Sequence, residues 1–131
     1  MSTTANAAFS TTAWEEKAYT EMEDGRKLTR VQAVFAYSGD LEAEGKVEYL
    51  MAYSPDGTGS FVGLEYIVGQ IGGRQGSFVA QHTGTFDPQS VTTRWEFVPG
   101  LGTQGLSGLT GGGQIVLAGH GPYTISFEHN L

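Results

Sequence analysis

The stretch GTGSFVGLEYIVGQIGGRQGSFVAQHTGTF, from Gly57 to Phe86, decides the fold of this chain. Aromatic and β-branched residues recur along it, and glycine interrupts the run every few positions, a composition that favours strands over helices. We predict two long strands, Ser60–Ile71 and Gly76–Phe86, joined by a turn at Gly72–Gln75. The register of this hairpin then determines which side chains share a face of the sheet.

The turn predicts that Glu65 lies directly opposite His82. A four-residue loop at Gly72–Gln75 and a two-residue turn at Gly73-Arg74 lead to the same pairing, because the numbers of opposed residues keep a constant sum in a hairpin. Directly opposed residues share a face of the sheet, so we expect these two side chains to lie together. The same register gives two further pairs: Ile67 with Ala80, and Phe61 with Phe86.

The turns on either side of this hairpin extend the same face. Pro55-Asp56-Gly57 is typical of a three-residue loop closed by glycine, which places Val47 opposite Glu65. A turn at residues 87–90 places His82 opposite Trp95. The three turns, taken separately, put the apolar residues of four strands on one face, and this agreement supports the register. The further pairs are Tyr49 with Gly63, Met51 with Phe61, Phe86 with Val91, and Ala80 with Phe97.

The rest of the chain supplies further strands. An acid-rich segment at Glu15–Asp24 is expected to be solvated surface, as a ragged strand end or a short helical turn. The glycine-rich stretch Gly100–Gly121 is expected to form a compact loop with one helical turn at Thr103–Leu109. The predicted strands outside the central hairpin are Ala8–Trp14, Lys27–Tyr37, Leu41–Tyr53, Val91–Val98, Gln114–Ala118 and Tyr123–His129.

About eight short strands, mostly joined by hairpins, predict one domain over residues 1–131 and an all-β fold. Antiparallel meanders of this size protect their edges by closing, so we expect an eight-stranded antiparallel closed β-barrel. The interior of such a barrel is either nearly filled by side chains or holds one small ligand.

The composition excludes several classes of function. The net charge of −7 repels phosphate backbones, and there is no basic stripe, so we expect no nucleic-acid partner. The chain has no cysteine, which fits a reducing cytoplasm and excludes thiolate chemistry. No signal peptide and no apolar run of membrane-spanning length is visible, so neither a membrane partner nor secretion is expected. We also expect no cofactor.

Glu65 and His82 are the candidate catalytic residues, because the register places every other charge in these strands on the outer face. We expect a Glu and a His together among apolar side chains to act as a general acid and base. The alternative is a satisfied interior hydrogen bond with no chemical role. The predicted ligand-binding wall comprises Tyr49, Phe61, Ile67, Phe78, Trp95 and Phe97.

Other motifs carry less information. The three histidines, His82, His120 and His129, lack the spacing of metal ligands, so no metal site is predicted, and His120 is interpreted as a turn residue. The run GLGTQG at Gly100–Gly105 has no surrounding βαβ unit and therefore does not indicate a dinucleotide site. No G-x-S-x-G elbow supports a serine nucleophile.

The string EYLMAYSPDGTGSFVGLEYIVGQIGGRQGSFVAQHTGTFD, continued by VPGLGTQGLSGLTGGG, resembles one bacterial family of domains of unknown function. The resemblance runs from Trp14 onward and implies an allene oxide cyclase-like or dirigent-like barrel of eight antiparallel strands. Better-understood barrels of this kind cyclise a reactive oxylipin or orient radicals in an apolar cavity, commonly as trimers. Their catalytic residues match no positions here, so the resemblance assigns no site residue.

Three functions remain open. The first is a barrel that binds a small apolar or aromatic molecule unchanged, and the second is a cyclase or isomerase that folds a reactive apolar substrate inside the cavity. The third is a filled barrel with only an assembly role. Apolar side chains on the outer face of Ser60–Ile71 predict a homo-oligomer, a dimer or a trimer, that uses this face. These outward residues are Val62, Leu64, Tyr66 and Val68.

Overall fold

Eight antiparallel strands close into a barrel in chain order, which confirms the predicted architecture. The structure is a computed structural model and describes residues 2–118 and 123–131. Helix in these residues is confined to two 3₁₀ turns, at Glu23–Gly25 and Gln104–Leu106. The strands are β1 (Thr3–Glu21), β2 (Lys27–Gly39), β3 (Leu41–Tyr53), β4 (Gly59–Ile71), β5 (Arg74–Phe86), β6 (Ser90–Phe97), β7 (Thr110–Ala118) and β8 (Tyr123–Asn130).

The first strand is much longer than the predicted Ala8–Trp14. Its first part, Thr3–Phe9, pairs with β8 and closes the barrel, with Ala5, Ala7 and Phe9 buried. The acid-rich segment continues the strand as far as Glu21, paired with β2 and exposed to solvent, before the first 3₁₀ turn. Pairing between the two ends of the chain therefore orders residues whose own side chains give only a weak strand signal.

The register of the central hairpin differs from the prediction by two residues. The turn consists of Gly72-Gly73, both with positive φ (57° and 87°), and pairs Ile71 with Arg74. Two successive positive φ angles define the two-residue turn that best matches strand twist, and glycine adopts them without strain. Because a shift of two residues keeps the face of every side chain, the inward assignment of Glu65 and His82 survives. The observed pairs are Glu65 with Ala80, Gly63 with His82, Ile67 with Phe78, and Phe61 with Gly84.

The two flanking registers are confirmed. Strands β3 and β4 pair Val47 with Glu65, and strands β5 and β6 pair His82 with Trp95. In the first of these loops the backbone N–H of Ser54 donates to the carbonyl of Thr58 over 2.8 Å. Together with the corrected hairpin, these registers direct one face of β3–β6 into the barrel.

A loop covering residues 98–109, the plug loop, closes one end of the barrel. Leu106 and Leu109 of this loop are fully buried there, and the backbone N–H of Thr103 donates to the carbonyl of Ser77 over 2.9 Å. The approach is close enough that a Cβ on Gly76 would lie 2.2 Å from the carbonyl oxygen of Thr103. The predicted helical turn at Thr103–Leu109 corresponds to the 3₁₀ turn Gln104–Leu106.

The barrel is weakest between β7 and β8. Only three residue pairs join these strands within the described chain, from Thr110 opposite Asn130 to Gly112 opposite Glu128. Within the described residues, β7 beyond Gly112 is paired with β6, and the part of β8 from Thr124 to Phe127 is paired with β1. The turn predicted at His120 lies outside the described residues. This partial opening, the β7–β8 seam, lies at the end of the barrel away from the plug loop.

Candidate functional site

Glu65 lies in the middle of the barrel and is fully buried. Its Oε1 accepts a hydrogen bond from Nε2 of His82 at 2.7 Å, and its Oε2 accepts one from the hydroxyl of Tyr37 at 2.6 Å. The predicted contact between Glu65 and His82 is therefore confirmed, although the two residues lie diagonally and not directly opposite each other. Both oxygens of the carboxyl group are satisfied, as burial of such a group requires.

The hydrogen bond from Trp95 determines which nitrogen of His82 carries the proton. The indole Nε1 of Trp95 lies 3.1 Å from Nδ1 of His82. An indole N–H only donates, so Nδ1 must accept, and the proton of the ring resides on Nε2. The Nε2–H group then points to Glu65. Trp95, His82, Glu65 and Tyr37 thus form one continuous hydrogen-bonded chain across the interior.

A glycine on the neighbouring strand makes room for the carboxyl group. Gly45 in β3 is next to Glu65, and a Cβ built on it would lie 1.9 Å from Oε2 of Glu65 and 3.1 Å from the Tyr37 ring. Any larger residue at this position would push the carboxyl group away from its partners. Gly45 is therefore part of the site even though it contributes no functional group.

Burial raises the pKa of two tyrosines around this cluster well above the ordinary range. The pKa of Tyr37 is raised first by burial and then by the charge of Glu65 and the hydrogen bond to it. The pKa of Tyr49 is raised by burial and by the same carboxyl group. Both hydroxyls therefore remain protonated across the physiological pH range.

A cavity of about 460 Å³ occupies the end of the barrel opposite the plug loop. Half of its twenty described lining residues are Phe, Tyr or Trp. His82, Trp95 and Tyr37 form part of its wall, whereas Glu65 lies behind His82 and does not reach it. The hydrogen-bonded chain therefore forms the base of an aromatic cavity.

Four of the residues named from the sequence lie on this wall, namely Tyr49, Phe61, Trp95 and His82. The other three residues of the predicted ligand-binding wall, Ile67, Phe78 and Phe97, do not line the cavity. They are fully buried in the packed half of the barrel, toward the plug loop. The face of each residue followed from alternation along the strand, but its depth in the barrel did not.

The rim of the cavity holds a second cluster, which the sequence interpretation assigned to solvated surface. Glu16 in β1 accepts hydrogen bonds from Trp14 Nε1 at 3.3 Å, from Thr29 Oγ1 at 2.8 Å and from the hydroxyl of Tyr53. The ammonium of Lys27 lies 4.7 Å from the centre of the Tyr53 ring. Glu16 thus positions two aromatic side chains at the mouth of the cavity. In the sequence, the aromatic residues that flank this acidic segment were the signal from which its role at the cavity could have been predicted.

Thr93 on the cavity wall has a hydroxyl group that makes no hydrogen bond to the described residues. The side chain is buried, and its Oγ1 has no hydrogen-bond partner among the described residues. Its cross-strand neighbours are Gly84 and Ile115, neither of which has a polar side chain. A buried hydroxyl without a partner costs stability.

This geometry is better suited to binding than to proton transfer. Both nitrogens of His82 are engaged by Trp95 and Glu65, so neither is free to accept a proton from a molecule in the cavity. Glu65 is separated from the cavity by His82. Among the described residues there is no cluster of three or more His, Asp or Glu side chains that could hold a metal ion.

Comparison with known proteins defines the family. Residues 5–129 match the family described as "Protein of unknown function (DUF3224)", and the chain belongs to this family. The chain is also similar to a solved structure, a DUF3224 protein of unknown function from Shewanella oneidensis MR-1. That protein shares 29% sequence identity and a TM-score of 0.79, over 99% of this chain and 98% of the other. A search of the curated proteins finds no match.

The family match agrees with the bacterial family of unknown function that the sequence resembles. The more distant likeness to allene oxide cyclase-like barrels stays a prediction. No helix in the described ranges has the length and hydropathy needed to cross a membrane. The expected cytoplasmic location stays a prediction as well.

Proposed function

We propose that this barrel binds a small apolar or aromatic molecule in the cavity without transforming it. The observation that carries the proposal is the cavity itself: its volume of about 460 Å³ lies among known ligand sites, which span roughly 300–1,000 Å³. Half of its described lining residues are aromatic, with a few polar groups among them, the usual character of such sites. A barrel with only an assembly role would instead have this end filled by its own side chains.

The position of the hydrogen-bonded chain favours a binding protein over a cyclase or isomerase. Glu65 has both oxygens occupied and lies out of reach of a ligand, and the ring of His82 is fixed on both sides. We propose that the hydrogen-bonded series of Trp95, His82, Glu65 and Tyr37 holds the base of the cavity rigid, so that the aromatic wall is formed before a ligand enters. Preformed walls reduce the entropy lost on binding.

Binding can be measured with N-phenyl-1-naphthylamine, an uncharged dye that becomes fluorescent in apolar surroundings. We expect a saturable fluorescence increase with the folded protein. Leu117→Trp, which fills part of the wall, should weaken it at least about tenfold, because overpacking removes the room for the dye. The matched control is Val116→Trp, at a neighbouring position whose side chain is 63% exposed on the outer surface.

The control should bind the dye like the unchanged protein. Equal binding by Leu117→Trp and Val116→Trp would mean that the dye sits elsewhere and would overturn the proposal. Recovery of chemically unchanged apolar ligand after long incubation supports binding alone. Conversion of a polyene or epoxide by the protein would favour the enzymatic alternative.

A further inference from the structure

Glu65 is a fully buried carboxylate without a cation to balance its charge. Both of its hydrogen bonds are donated by its partners, the Nε2–H group of His82 and the hydroxyl of Tyr37, so the carboxyl group acts only as an acceptor. No Lys or Arg of the described chain forms an ion pair with it. Because buried charges in proteins are ordinarily paired, the interior of this barrel has a negative charge in excess.

His82 does not supply the missing positive charge. A doubly protonated imidazole would present an N–H to the indole N–H of Trp95, and two donors cannot share a hydrogen bond. The contact with Trp95 therefore opposes a cationic ring. The hydrogen-bonded series of Trp95, His82, Glu65 and Tyr37 thus has a net negative charge.

The charge of Glu65 acts on the cavity through the residues in front of it. Tyr37 and His82, which both bind the carboxylate, line the cavity. The same charge contributes to the raised pKa of Tyr49, a third residue of the wall. Charges interact more strongly in a protein interior than in water, because the dielectric constant is lower there. The base of the cavity therefore attracts a cation.

The wall and the rim of the cavity also favour a cation. Half of the described lining residues carry aromatic rings, whose negative faces attract ammonium groups. At the mouth, the ammonium of Lys27 already lies 4.7 Å from the centre of the Tyr53 ring. Asp87 lines the rim, whereas no Lys or Arg is among the described lining residues. The protein's net charge of −7 adds attraction at long range.

We infer that the ligand of this cavity is an organic cation, a quaternary ammonium group on an apolar or aromatic body. The rings of the wall hold the body and the methyl groups, and Glu65 supplies the counter-charge from behind His82 and Tyr37. The acceptors of Glu65 and Nδ1 of His82 are already occupied, so a quaternary nitrogen, which needs no acceptor, fits this base. This inference rests on the proposed binding function and narrows it to a class of ligand.

A matched pair of naphthalenes tests the charge of the ligand alone. The pair is trimethyl(2-naphthylmethyl)ammonium and 2-neopentylnaphthalene, in which a carbon atom replaces the nitrogen. Displacement of N-phenyl-1-naphthylamine from the full chain gives both dissociation constants. The ammonium compound should bind at least about tenfold more tightly than its uncharged isostere, because attraction between a cation and aromatic rings is strongest in a desolvated site.

Glu65→Gln tests the source of the counter-charge, because it removes the charge and keeps the size of the side chain. It should weaken binding of the ammonium compound at least about threefold and leave the isostere unchanged. Glu44→Gln, at an exposed position of β3, changes the net charge equally and should alter neither affinity. Circular dichroism identifies a temperature at which both variants are folded.

Two results would overturn the inference and leave the proposed function standing. One is an isostere that binds the unchanged protein as tightly as the ammonium compound, a comparison that needs no variant and holds even if Glu65→Gln fails to fold. The other is an equal loss of affinity for both ligands in Glu65→Gln, which would show that Glu65 acts only through the structure of the cavity. Failure of the dye itself to bind would overturn the proposed function as well.

Discussion

At the scale of single residues, the barrel depends on a carboxyl group that it encloses completely. Glu65 is tolerated because His82 and Tyr37 each donate to one of its oxygens. Burying this carboxyl group lowers stability only when one of its hydrogen-bond partners is lost. A buried polar atom without a partner costs more stability than the hydrogen bond itself contributes.

Glu65→Gln should lower the free energy of unfolding by about 1–3 kcal/mol, since an amide NH₂ that faces Tyr37 donates to its hydroxyl and leaves the hydroxyl proton without the acceptor that Glu65 provides. Urea unfolding measures the change. Glu44→Gln, at an exposed position of β3, is the control and should stay within about 0.5 kcal/mol. Equal stability of Glu65→Gln and the control would contradict the assigned hydrogen bonds.

Gly45→Ala should destabilise the barrel through Glu65, because the new Cβ would lie 1.9 Å from Oε2 of that residue. We expect a loss of about 1–3 kcal/mol. A double-mutant cycle with Glu65→Ala tests the cause, since two residues in contact give non-additive changes. The loss from Gly45→Ala should shrink once the carboxyl group is gone. The same loss in both backgrounds would exclude the contact as its origin.

The raised pKa of Tyr49 predicts loss of stability in alkali. Its hydroxyl stays protonated in the folded protein, whereas the unfolded chain loses that proton above about pH 10. Stability is therefore complete below pH 10 and falls as the pH rises toward the folded-state pKa, by about 1.4 kcal/mol per pH unit for one such tyrosine. Tyr49→Phe should flatten this slope in urea unfolding at pH 9–11. Tyr19→Phe, at an exposed tyrosine of β1, should not.

At the scale of strands, the strongest and weakest parts of the barrel lie far apart in the sheet. β4 is paired along its whole length with both β3 and β5. β8 is paired with β1, but in the described chain its residues from Thr124 to Phe127 have no pairing with β7. The β7–β8 seam borders the cavity, because Ile115, Leu117 and Tyr123 lie on the wall.

Amide hydrogen exchange should follow this difference. Backbone amides of β4 should exchange only through large-scale opening, whereas those of β8 that face the β7–β8 seam, between Thr124 and Ser126, should exchange much faster. Exchange followed by NMR, one residue at a time, measures both sets in one sample. Equal protection of β4 and these β8 amides would show that the seam is closed in solution.

The strands themselves were predictable from alternation, and their registers from short turns. β3 was predicted with its observed bounds, because every second residue from Leu41 to Tyr53 tends to be apolar. The central turn was misplaced by one position because two adjacent glycines and an Arg-Gln pair allow several turns with equal strand lengths. The length of β1 was not predictable, since it depends on pairing with β8 at the other end of the chain.

The candidate site was predictable in part for the same reason. Alternation put Glu65 and His82 on the inner face, and the two-residue error in register did not change that. The link from Tyr37 to Glu65 joins residues 28 positions apart, and the depth of Ile67 or Phe97 in the barrel depends on the plug loop. Both depend on three-dimensional closure that no single hairpin specifies.

At the scale of the whole molecule, the outer face of β4 carries four exposed apolar side chains in a row. The side chains of Val62, Leu64, Tyr66 and Val68 on β4 are 47–56% exposed. On the adjacent strand, Lys46 lies beside Tyr66 and Glu48 beside Leu64. Glu48 is already bound by Arg30 and Gln32 of the same chain, so the apolar strip itself is the feature that suits a second copy of the same surface.

We therefore predict a homo-oligomer, a dimer or a trimer, that uses the outer face of β4. Light scattering coupled to gel filtration at tens of micromolar, roughly the range of weak complexes, should give a mass above that of one chain. Leu64→Glu should return the protein to a monomer, because it places a charge in the buried centre of the interface. Val116→Glu, an exposed apolar position on β7, should not. A monomeric unchanged protein would contradict the prediction.

The central claim, an accessible cavity that binds an aromatic molecule, is tested most directly by the indole N–H signals of the two tryptophans. Trp95 lies at the base of the cavity with 3% of its surface exposed, and Trp14 lies at the mouth with 50% exposed. During titration with 2-acetylnaphthalene, ¹H–¹⁵N spectra should show both signals shifting together and saturating at one ligand per chain. If neither signal moves up to the solubility limit while the protein stays folded, the cavity does not bind such a ligand and the account is wrong.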